Sequence, residues 1–89
     1  ELKLRELEMA QLSWVFKPIA FSDGQYIGKL NLNNIDNDRV KVRLGTAPND
    51  DLAVLNNGVV FISKTGTELV AVHVYLDGVI VPSLSVTIN

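Results

Sequence analysis

Apolar and polar residues alternate most regularly in the last third of the chain, from Glu68 to Asn89. The alternation leads into Asp77-Gly78 and resumes beyond it, which is the pattern of a β-hairpin. Val79 and Val81 share one parity, whereas Leu84, Val86 and Ile88 share the other. The flip falls at Pro82, which has no amide hydrogen for a ladder bond. A bulge or a change of sheet is expected there. Upstream, Arg39 to Leu44 alternates cleanly, with Val40, Val42 and Leu44 on one side and Lys41 and Arg43 on the other. Leu52 to Leu55 and Val59 to Ser63 flank Asn56-Asn57-Gly58, and Asn-Gly is the strongest short hairpin signal because both positions must take positive φ. Tyr26 to Leu32 is a further strand, with Gly28 a weak point or bulge, and residues 12 to 17 are another.

The segments between these strands carry turn chemistry: Ser22-Asp23-Gly24, the polar run Asn33 to Asp38, Gly45 to Asp51 with Pro48, and Lys64-Thr65-Gly66-Thr67. About seven short strands with turns every eight to twelve residues make an all-β antiparallel sandwich or small barrel.

The first twelve residues read differently. They are rich in Glu, Leu, Lys, Arg, Met, Ala and Gln, all good helix formers. Leu4, Leu7, Gln11 and Trp14 follow the a/d stagger of a coiled coil over two heptads. A helix this short is marginal alone in water, so it needs partner helices or a docking surface. Residues 1–12 are therefore expected to be a helical segment, and residues 13–89 the β-domain. Leu2 and Leu4 also alternate, which leaves a first strand as the other reading.

Composition narrows the class. Eighty-nine residues make one domain. The net charge of −2 and the lack of a basic face argue against nucleic acid as partner. Without cysteine the chain can have neither a disulfide framework nor a thiolate metal site. Glu1-Leu2-Lys3-Leu4-Arg5-Glu6 is too charged for a signal peptide, and no apolar run approaches the ~18 residues of a membrane span. The chain is expected to be part of a larger polypeptide, with no insertion in a membrane.

Candidate chemistry is sparse. His73 is the single histidine, set between Val72 and Val74 without a carboxylate or second histidine at a useful spacing. Asp36-Asn37-Asp38 begins like a calcium loop, but Val40 occupies the fifth position and no glycine follows. No nucleophile elbow and no phosphate-binding glycine loop is present. The sequence thus predicts neither enzyme, metal nor cofactor. Of the aromatic residues, Phe61 and Tyr26 are expected inside, and Trp14 suits a seam between subunits.

From Asp23 onward the layout resembles a cadherin-like module of the immunoglobulin-like sandwich class. Asp23-Gly24 and Ile27-Gly28-Lys29-Leu30 are similar to the family's early turn and strand. Leu52 to Val60 looks like its mid-module hairpin. Val70-Ala71-Val72-His73-Val74 and Pro82-Ser83-Leu84-Ser85-Val86-Thr87-Ile88 resemble its closing strands. The family's acidic calcium motif is absent; Lys64-Thr65-Gly66-Thr67-Glu68 stands in its place. The resemblance implies an immunoglobulin-like β-sandwich without calcium-dependent rigidity.

A short a/d helix feeding a cysteine-free β-domain is the layout of trimeric appendages such as phage tail fibres. The expected function is receptor binding or adhesion at such a tip, on an extracellular or virion surface. The receptor would be a cell-surface protein or glycan. Contact would run through Asn34, Asp36, Asp38, Asn49, Asp50 and Asp51 on the polar loops. Leu4, Leu7, Gln11 and Trp14 would form the homo-oligomer interface. The alternative is a passive spacer repeat of a bacterial surface protein.

Overall fold

The computed structural model describes residues 7, 10–45, 53–64 and 68–88. They form a two-layer antiparallel β-sandwich. One sheet has the order β1-β2-β5-β4, with β1 Ser13–Ser22, β2 Gln25–Asn31, β4 Ala53–Asn56 and β5 Val59–Ser63. In the other, β3 (Val40–Leu44) and β6 (Val70–Leu76) pair, and β6 is flanked on its far side by β7 (Val79–Ile80) and β8 (Val86–Ile88). Leu7, Ala10 and Gln11 have helical backbone; the remainder of the expected a/d helix, Leu4 included, lies outside the described residues. Leu12, assigned by the sequence to that segment, is buried in the core.

Two hairpin readings reappear as backbone geometry. Asn57 and Gly58 have φ of 50° and 87°, and Asp77 and Gly78 have 51° and 81°. Positive φ at both central residues twists a two-residue turn in the sense of the strands it joins. At Gly58 the demand is doubled. A β-carbon there would stand 2.7 Å from the Leu30 carbonyl oxygen, and the Leu30 amide donates to the Gly58 carbonyl at 2.7 Å.

The parity flip at Pro82 is a single 3-10 turn, Pro82–Leu84, that splits the last strand into β7 and β8. Val81 and Leu84, of opposite parity, are both buried as a result, and so is Ile88. Val79 remains exposed.

β1 is longer than the sequence predicts, because it continues through Pro18. An edge strand tolerates proline, since half of its amides face no neighbour. The register against β2 shifts three times along β1. Gly28 is where β2 makes room for this irregularity: a β-carbon there would lie 2.9 Å from the Pro18 nitrogen. The bulges thus belong to β1, and Gly28 is their complement.

The core is dominated by valine and leucine. Val40, Val42 and Leu44 of β3 face inward, as do Val60 and Ile62 of β5 and Val72, Val74 and Leu76 of β6. Tyr26 is half-buried against this cluster. Phe61, expected inside, faces solvent. Val59 to Ile62 is apolar at every position, so alternation could not say which side turns inward; the Val60–Ile62 side did.

Two side chains tie the layers together at their open sides. Trp14 of β1 packs on the core, and its indole Nε1 donates to the Leu84 carbonyl at 2.8 Å. Asn37 Nδ2 donates to the Leu55 carbonyl of β4 at 3.3 Å. Trp14, expected in a seam between subunits, is thus engaged within its own chain. Within the second sheet an ion pair closes the end of the β3–β6 ladder: Arg39 Nε and Nη2 donate to the two Asp77 carboxylate oxygens at 3.0 and 2.7 Å, and the Asp77 amide donates to the Arg39 carbonyl.

Gly58→Ala is expected to lower stability by about 2 kcal/mol or more, from left-handed strain plus the overlap with Leu30; urea unfolding measures it. Trp14→Phe keeps most of the apolar area and strands the Leu84 carbonyl, so it should cost about 1–3 kcal/mol with an unchanged far-ultraviolet circular dichroism spectrum.

Candidate binding site

The polar run after β2 is shaped by a turn whose two central residues, Asn33 and Asn34, are both asparagine. Asn33 and Asn34 have φ of 49° and 70°, and the Ile35 amide donates to the Leu32 carbonyl at 2.9 Å. Both central residues are therefore left-handed, a conformation that asparagine tolerates better than any other residue with a β-carbon except aspartate. Asn31 Oδ1 accepts from the Asn33 amide at 3.0 Å and pins the entry to the turn. Ile35 is buried and anchors the exit. Asp36 then precedes a 3-10 turn, Asn37–Arg39, but its side chain makes no capping bond. Its carboxylate is left to the surface.

This geometry surrounds a shallow hollow of about 540 Å³. Asn34 and Asp36, two of the predicted binding residues, line it together with Asn31, Asn37 and Asn57 and with Lys29 of β2. Val15, Leu32 and Ile35 contribute apolar wall. The amides present donors and acceptors side by side, the carboxylate accepts, and the ammonium donates. Such a lining can hydrogen-bond hydroxyl or amide groups without demanding a charged ligand. Asp38, also predicted, lines a separate cleft of about 350 Å³ between the edges of β3 and β4, which shares Asn37 with the hollow. Asn49, Asp50 and Asp51 lie outside the described residues.

Sequence reading missed Asn31, Asn57 and Lys29, and held Asn37 within the binding loop without singling it out. They come from β2, the 3-10 turn and the β4–β5 turn, and only the pairing of β2 with β5 brings them together. Asn57 did carry a signal, but it was the signal of a hairpin.

The other candidates have ordinary settings. His73 stands on the outer side of β6, and its Nδ1 and the Ser85 hydroxyl are 2.9 Å apart and hydrogen-bonded. Its neighbour across the ladder is Arg43, whose guanidinium lies 5.4 Å from the Tyr75 ring centre. Among the described residues no three His, Asp or Glu side chains gather as a cation site requires. Nor is any helix among them long and apolar enough to cross a membrane. Compared with known families, characterised proteins and solved structures, the chain matches none.

Asn34→Gly should leave the unfolding free energy from urea titration within about 0.5 kcal/mol of the parent, because glycine takes the same φ freely. Asn34→Ala should cost about 1–2 kcal/mol. Equal effects of the two would mean that the turn does not depend on left-handed backbone.

Proposed function

We propose that this chain is a non-enzymatic receptor-binding module at the tip of a trimeric appendage of the phage tail-fibre kind. It acts on an extracellular or virion surface and recognises a cell-surface protein or glycan. Its sandwich is of the immunoglobulin-like class in this reading. The observation that carries the proposal is the convergence of Asn34 and Asp36 with three further asparagines and a lysine around one hollow. Shallow, amide-rich surfaces on a rigid sheet suit ligands with many hydroxyl or peptide groups. The trimeric part is supported by Leu7, an exposed leucine on helical backbone five residues before the core residue Leu12. Exposed leucine on a short helix is what partner helices would cover.

The test has two arms. Asn34→Gly and Asp36→Ala, both compatible with the turn, should each reduce binding to a glycan array or to intact cells at least tenfold. Light scattering on the chain with and without residues 1–11 should show a threefold fall in mass, since Leu12 must stay for the core. An unchanged mass would remove the appendage reading, and undiminished binding by both variants would remove the hollow as the site.

A further inference from the structure

The two outer faces of the sandwich differ in character. On the β3-β6 sheet the outward side chains of these two strands are Lys41, Arg43, Ala71, His73 and Tyr75, with Ile80 of β7 beside Tyr75, so polar and charged groups predominate. On the β1-β2-β5-β4 sheet an apolar row runs across all four strands. Ile19 of β1 pairs with Ile27 of β2, Ile27 with Phe61 of β5, and Phe61 with Val54 of β4. Ile19 is 58% exposed, Phe61 44% and Val54 52%, while Ile27 is half-buried among them. Phe16 and Phe21, 42% and 54% exposed, extend the patch along β1.

We propose that this face is a self-association surface on which two copies of the chain pack sheet to sheet about a two-fold axis. The area is sufficient. Five exposed side chains offering roughly 100 Å² apiece give about 500 Å² of apolar surface, near the top of what a monomer leaves uncovered. Doubled, and with a polar rim added, that reaches the ~1,200–2,000 Å² of a stable interface. Sheet faces stack on one another at about 10 Å, crossing at about 30° because each is twisted.

The charge pattern selects a second copy and an orientation. Among the described residues of β2, β4 and β5 with outward side chains, Lys29 is the charged one, one row from the apolar row and next to Val59, and the exposed Lys17 of β1 lies toward the same end, next to Phe16. Gln25 and Ser63, paired with each other, occupy the row on the opposite side. A two-fold axis along the Ile19–Ile27–Phe61–Val54 row sets that row against itself. It also sets Lys29 against the partner's Gln25 row rather than against the partner's Lys29. The face is then complementary to its own copy, as an isologous contact requires.

The contact uses the opposite side of β2 and β5 from the core and stands apart from the trimeric reading; a two-fold contact perpendicular to a three-fold one gives a six-chain assembly. Sedimentation velocity on the full chain at about 100 µM separates the cases. Two or six chains, reduced to one or three by Phe61→Glu and by Ile19→Glu, is the expected result. Leu69→Glu, at an apolar position 72% exposed outside this row, should change nothing. Circular dichroism of each variant should match the parent, since these side chains lie outside the core. One or three chains for the parent overturns the inference, and so does a mass that both glutamate variants leave intact. A three-chain parent would still support the trimeric reading.

Discussion

A sheet can hide only one of its sides from water in a two-layer protein, and each strand must commit every second side chain to that side. Here β5 and β6, central in their respective sheets, make the commitment most completely. Val60, Ile62, Val72, Val74 and Leu76 are shut off from solvent. Once these rows are inside one shared core, the register of β2, β3 and β4 follows from the ladders, because a slip by one residue would turn an entire row outward. The turns, the sheet-to-sheet ties and the hollow are all consequences of that register.

The hollow shows how a backbone requirement creates a surface. Left-handed positions at Asn33, Asn34 and Asn57 reverse the chain direction over few residues, and asparagine meets that requirement without glycine's loss of a side chain. The Asn34 and Asn57 amides are therefore left standing around a shared depression. Asn37 joins the two roles most directly. It bonds the Leu55 carbonyl at the edge of β4 and also lines both the hollow and the neighbouring cleft.

Much of the architecture was legible in order along the chain. Asn57-Gly58 and Asp77-Gly78 name their own turns, and Val40 to Leu44 names its own inward side. Pro82 marked the break in the last strand, although not its form as a 3-10 turn. Phe61 was misread because apolar residues on both sides of a strand give no direction. The contacts between distant segments were not legible at all. Nothing near Trp14 points to Leu84, seventy residues on, and nothing near Arg39 points to Asp77. The candidate site was half legible: Asn34 and Asp36 stood out as polar loop residues, whereas Lys29 and Asn31 looked like ordinary outward positions of a strand.

The margins of the two sheets carry a further meaning. The outermost ribbons are short, at four residues in β4, five in β3, two in β7 and three in β8, and the long one, β1, is kinked by its register shifts and blocked by Pro18. Unsatisfied backbone at a sheet's rim is what recruits foreign strands into fibrils, and brevity, kinks and proline are the ordinary defences. Many copies held side by side would therefore find, among the described strands, no long unbroken template for backbone annealing.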